Sequence, residues 1–127
     1  MPGRLLLPHT LLARELGGER GDRDDVVAAW QKRIFAELPA KGIKGARLLK
    51  AYVTSSRGAR RTLFLLQVAS GDTVFLMHRR KGDAVGDNMS HRNPAFVRAV
   101  DAAMAVALAD INRKKFDIVE RSPIGEF

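Results

Sequence analysis

Cysteine is absent from this chain of 127 residues. Its absence excludes a disulfide scaffold, a thiolate zinc site and a cysteine nucleophile. Long apolar runs are absent as well. Leu5-Leu6-Leu7 and residues 63–66 fall far short of the roughly 20 residues that span a bilayer. No apolar region with a small-residue cleavage site opens the chain, so a reducing cytoplasm is the expected location. There is no Walker loop, dinucleotide fingerprint, nucleophile elbow or metal-ligand spacing. Asp83, Asp87 and Asn88 resemble a cation loop only loosely, because their spacing does not fit an EF-hand. Neither a metal nor a cofactor is expected.

What the chain does have is positive charge. Lys and Arg number 22 against 14 Asp and Glu, a formal net charge of +8. Such a surplus points to a polyanionic partner, most often nucleic acid. It is also unevenly placed. Residues 41–81 hold Lys41, Lys44, Arg47, Lys50, Arg57, Arg60, Arg61, Arg79, Arg80 and Lys81, and one acid, Asp72. The rest of the chain is close to neutral.

The length and the 46% hydrophobic content fit one globular domain. Its core is expected over about residues 24–119, with 1–23 an N-terminal arm or extra helix and 120–127 a loose tail. Leu5 to Leu7 read as a short strand or arm stopped by Pro8. A short helix over 10–16 would be capped by Thr10 and ended by Gly17-Gly18. A longer helix is expected over 24–38. Asp22, Asp24 and Asp25 lie at its start, and Val27, Trp30, Ile34 and Leu38 form an apolar face with Trp30 in the core. Pro39 and Gly42 would end it.

Strands are expected over 48–54, 61–69 and 73–79, joined by turn chemistry at Ser56-Arg57-Gly58 and Ser70-Gly71-Asp72. Residues 81–92 read as a glycine-punctuated polar connection. Asn93-Pro94 then starts a helix whose stripe is Phe96, Val100, Ala103, Ala107 and Ile111, and 116–119 could add a last strand. The fold class is α+β: an antiparallel sheet of three to four strands, packed on one side by the N-terminal helices and the C-terminal helix.

Strand alternation puts Lys50 and Tyr52 on one face and Leu49, Ala51 and Val53 on the other. With Arg57, Arg60 and Arg61 near one strand start, and His78, Arg79, Arg80 and Lys81 at a neighbouring strand end, a basic face with one aromatic is expected. Guanidinium forks match phosphate oxygens, and an aromatic ring can stack a base. Lys41, Lys44, Arg47, Arg57, Arg60, Arg79, Lys81, His91 and Arg92 are the candidate RNA contacts. RNA cleavage through the 2′-hydroxyl needs a base, an acid and cations at the phosphorus. Lys50, Tyr52, Arg61, His78 and Arg80 are the candidates for that chemistry.

This arrangement resembles the RelE/ParE superfamily of type II toxin–antitoxin toxins. The resemblance rests on the Lys50-x-Tyr52 strand, on Ser56 followed by Arg60-Arg61 and an apolar strand, and on the apolar strand ending in Arg79-Arg80-Lys81. It implies a RelE-like fold and a toxin that inhibits translation by metal-independent, usually ribosome-dependent mRNA cleavage, silenced by a cognate antitoxin protein. By position, Lys50 and Tyr52 would be its first-strand basic and aromatic sites. Arg60 or Arg61 would bind phosphate, and Arg79, Arg80 or Lys81 would supply the basic site after the third strand. The C-terminal helix has no basic or tyrosine residue before Arg98, a position near which many relatives place one. The ParE branch shares the fold and targets DNA gyrase. A non-catalytic RNA-binding or ribosome-associated module is the alternative from outside the family.

Overall fold

A computed structural model describes residues 3–17, 20–38, 44–55 and 58–120. Pro39, Lys41, Gly42 and Arg57 lie outside them. The described chain is α+β, with a six-stranded mixed sheet and three helices. The elements are β1 (Arg4–Pro8), α1 (His9–Leu16), α2 (Arg20–Lys32), β2 (Ala36–Leu38), β3 (Ala46–Ser55), β4 (Gly58–Gln67), β5 (Thr73–Arg80), α3 (Pro94–Asn112) and β6 (Phe116–Glu120). The strand order is β2-β3-β4-β5-β1-β6.

The meander β3-β4-β5 is antiparallel, as the turn chemistry predicts. β1 is no arm. Its leucines are buried, and it lies between β5, to which it is parallel, and β6, to which it is antiparallel. The sheet is therefore larger than the three to four strands expected, and it is mixed.

Two helices differ in detail from the expectation. α1 starts at Pro8 without a side-chain cap. Thr10 lies inside the helix, where its amide (2.7 Å) and hydroxyl (3.0 Å) both donate to the Asp110 carboxylate of α3. Gly17, at φ 58°, ends α1 and returns its N–H to Ala13 O. α2 stops at Lys32 because Arg33 turns left-handed, at φ 57°. The chain then leaves as β2, pairing Ala36, Glu37 and Leu38 with Lys50, Leu49 and Leu48. The buried face of α2 is Val26, Ala29 and Trp30, while Ile34 is 77% exposed. In α3, Asn93 caps as predicted, its Oδ1 accepting from Ala95 N, and Phe96, Val100, Ala103 and Ala107 are buried.

The helices cover both faces of the sheet, not one. Paired residues share a face. One face carries Leu48, Lys50 and Tyr52 of β3, Leu65, Leu63 and Arg61 of β4, and Val74, Met77 and Arg79 of β5. α3 lies on this face, where Met104, Ala107 and Leu108 oppose Leu65 and Val74 across an apolar groove of about 640 Å³. The other face carries Ala51, Thr62, Phe64, Phe75 and His78. Asp22 of α2 approaches His78 there, and Phe35 meets Phe64 edge-on at 5.8 Å. β1 pairs with β5 only at Thr73 and Val74. Further along that edge Glu15 of α1 stands in for a strand, accepting the His78 N–H at 2.9 Å.

Candidate nucleic-acid interface

Period-two alternation sends neighbouring residues of a strand to opposite faces. The sheet therefore divides the predicted basic cluster in two. Lys50, Tyr52, Arg61 and Arg79 lie on the α3 face; Arg60, His78 and Arg80 lie on the α2 face.

On the α3 face, Tyr52 is the centre. The residue is 63% exposed. Lys50 Nζ stands 5.4 Å from the ring centroid and Arg61 Cζ 5.2 Å from it. Both are within cation–π range. Neither cation has an acidic partner among the described residues. Arg61 is half-buried, and its Nη1 donates to the carbonyls of Gly86 (2.9 Å) and Asp87 (2.7 Å) in the loop that follows β5. Its Nε and Nη2 make no hydrogen bond among the described residues and remain for an anion. An exposed aromatic ring with two cations beside it suits a base with its flanking phosphates.

Arg79 shares this face but is already committed. Its guanidinium is bound to Glu15 (2.6 and 3.0 Å) and reaches Asp83 at 3.4 Å. Hydrogen bonding to Glu15 raises its pKa. Its role is to tie α1 and the loop to β5.

His78 is no part of the Tyr52 cluster. It is 4% exposed, and its Nδ1 lies 2.7 Å from the Thr62 hydroxyl. Its Nε2 is buried with no hydrogen bond among the described residues, 4.0 Å from Asp22 Oδ1. Burial pushes its pKa below the ordinary imidazole value. Asp22, Asp25 and Glu15 pull the other way, and Arg60 adds to the depression. Buried on the opposite face of the sheet, the imidazole lies apart from Tyr52. Arg60 is likewise 7% exposed and on the His78 side.

The remaining candidates scatter. Arg80 and Lys81 are exposed at the end of β5. Arg47 is paired with Glu37 at 3.3 Å. Lys44 is exposed at the mouth of the apolar groove. Arg92 is exposed, whereas His91 is half-buried with its ring 6.0 Å from that of Phe96. Lys41 and Arg57 lie outside the described residues. The loop carbonyls that hold Arg61 were beyond sequence reasoning, because backbone acceptors carry no residue signature.

No group of three or more metal-ligating side chains occurs among the described residues, and no described helix is long and apolar enough to cross a membrane. Comparison of the chain with protein-family models, curated proteins and solved structures finds no match.

Proposed function

We propose that this protein binds single-stranded RNA through Lys50, Tyr52 and Arg61, as the RNA-recognising face of a RelE-like, translation-inhibiting toxin. The observation that carries the binding is the exposed Tyr52 ring with Lys50 Nζ at 5.4 Å and Arg61 Cζ at 5.2 Å from its centroid, neither cation having an acidic partner among the described residues. Base stacking on an aromatic side chain is worth about 1–3 kcal/mol per base and tolerates any sequence. It requires an unpaired base, which favours single strands over duplex. The toxin reading draws on the sequence resemblance and on the matching order of helices, basic meander and C-terminal helix.

Cleavage at this face uses no histidine of β5. The Tyr52 phenol and the Lys50 amine are the groups placed to move protons, and Arg61 is placed to take up charge developing on phosphorus. A cognate antitoxin would silence the protein by covering this face with carboxylates. The second reading is non-catalytic RNA binding, and the burial of His78 away from the cluster favours it.

The test is induction of the protein without a partner, followed by primer extension on a model mRNA. Ribosome-dependent cuts that disappear in Arg61→Ala support the toxin reading. RNA binding without cuts supports the second reading. A DNA-damage response with intact mRNA would instead identify a gyrase poison and overturn both.

A further inference from the structure

Residues 81–92 form neither helix nor strand, yet the segment is closely tied. Asp83 organises its first half. One carboxylate oxygen, Oδ1, accepts the N–H of Val85 (2.8 Å) and of Gly86 (3.1 Å), and Arg79 Nη1 approaches the same oxygen. The Asp83 carbonyl accepts the N–H of Asp87 at 2.7 Å. From the other end, Asn93 Nδ2 donates to the carbonyls of Ala84 (3.0 Å) and Asn88 (2.9 Å). Val85 and Met89 are buried beneath the segment. Gly86 packs directly on β5: a Cβ there would run into the Arg80 carbonyl and stand 2.8 Å from Arg79 Cβ.

This scaffold fixes the two carbonyls that hold Arg61. Gly86 O and Asp87 O both accept from one nitrogen, Nη1, so the guanidinium is held over Tyr52 while Nε and Nη2 make no hydrogen bond among the described residues. An untethered arginine samples many rotamers, and ordering it opposes binding.

The geometry points to Asp83 as the positioning residue of the Lys50–Tyr52–Arg61 site: through the turn it ties, it holds Arg61 ready for an RNA phosphate without touching the RNA. The affinity part of this inference rests on the RNA-binding reading; the effect on Arg61 does not. Simple electrostatics predicts the opposite sign. A bystander carboxylate beside a phosphate site repels the ligand, so its removal would tighten binding.

The test compares Asp83→Ala, Asp83→Asn, Arg61→Ala and the double variant Asp83→Ala/Arg61→Ala. One readout is binding of a fluorescein-labelled single-stranded RNA oligonucleotide. The other is the NMR signal of the Arg61 side chain in the free protein, which the Tyr52 ring current is expected to shift upfield. Asp83→Ala is expected to weaken binding about five- to tenfold, and the double variant to bind within about twofold of Arg61→Ala alone, since residues acting through one another are not additive. Asp83→Asn keeps an acceptor oxygen for the two amides and is expected to fall between; it carries the test if the alanine variant does not fold. The Arg61 upfield shift is expected to collapse with Asp83→Ala. Equal or tighter binding by Asp83→Ala overturns the inference, as does a double variant weakened by the product of the single effects. Should the native protein bind no RNA, the functional reading falls and the Arg61 signal alone decides. A reduced shift in the Asp83 variants supports positioning, and a shift unchanged from the native protein overturns it.

Discussion

Tyr52 of β3 and Arg61 of β4 are paired across the two strands, and the guanidinium carbon lies 5.2 Å from the ring centroid. The partner opposite Arg61 on its other side is Arg79. The two arginines share a face and differ in their engagement: Arg79 is held by carboxylates, Arg61 by two backbone carbonyls. Carbonyls orient a guanidinium without neutralising it. The charge on the Tyr52 face is therefore available to a ligand.

Tyr52 is expected to contribute by stacking. Tyr52→Ala should weaken single-stranded RNA binding by about 5- to 150-fold, from the ~1–3 kcal/mol of one stacked base. Tyr52→Phe should retain most of the affinity. If Tyr52 also transfers a proton, the phenylalanine variant binds RNA but no longer cleaves it. Parallel binding and cleavage assays separate these outcomes.

Lys50 and Arg61 are expected to act as phosphate contacts. For single strands, the slope of log affinity against log salt is about 0.7 per phosphate neutralised. Lys50→Ala and Arg61→Ala should each reduce the slope by about that amount, whereas Arg47→Ala, which removes a cation already paired with Glu37, should leave it nearly unchanged. Salt titrations of binding check this.

His78 is expected to make the stability of the fold depend on pH. Burial lowers its folded-state pKa below the ordinary value near 6.5. A depressed histidine contributes stability that is fully present above about pH 6.5, because neither state then holds the proton. That contribution is lost as pH falls from there through the lowered value, where the unfolded chain takes up a proton that the native state refuses. Urea midpoints measured from pH 8 to 5 should fall more steeply for the native protein than for His78→Gln. Parallel profiles would contradict the assignment.

Asp110 joins the start of α1 to the end of α3 by accepting both the amide and the hydroxyl of Thr10. It is buried and supplies the cap that Pro8 cannot. Asp110→Ala should destabilise the fold by about 1–3 kcal/mol, because it strands a part-buried amide. Thr10→Ala should lose less, since its amide keeps the carboxylate. Equilibrium urea unfolding measures both.

Much of the meander was legible in the residues. Apolar strands separated by Ser70-Gly71-Asp72 produce hairpins by local physics, and Asn93-Pro94 marks a helix start by its own chemistry. Three features were not legible, for physical reasons. Helical spacing of Val27, Trp30, Ile34 and Leu38 continues past the true end of α2, and a three-residue edge strand is too short to show a period. The parallel pairing of β1 with β5 joins segments nearly seventy residues apart, so no local pattern encodes it. Closeness in sequence at the strand ends also groups Arg60 with Arg61, and His78 with Arg79. The period of two already forbids each pair from sharing a face, and the alternation that placed Lys50 beside Tyr52 was the stronger guide.

The most direct test of the account is an NMR titration of the protein with a short single-stranded RNA, following backbone amides and the Tyr52 ring. The account predicts shifts concentrated on Lys50, Tyr52, Arg61 and residues 86–87, with the ring signal moved by stacking. It also predicts that Tyr52→Ala abolishes most of the response. Shifts centred on the groove between α3 and the sheet, or none at millimolar RNA, would contradict it.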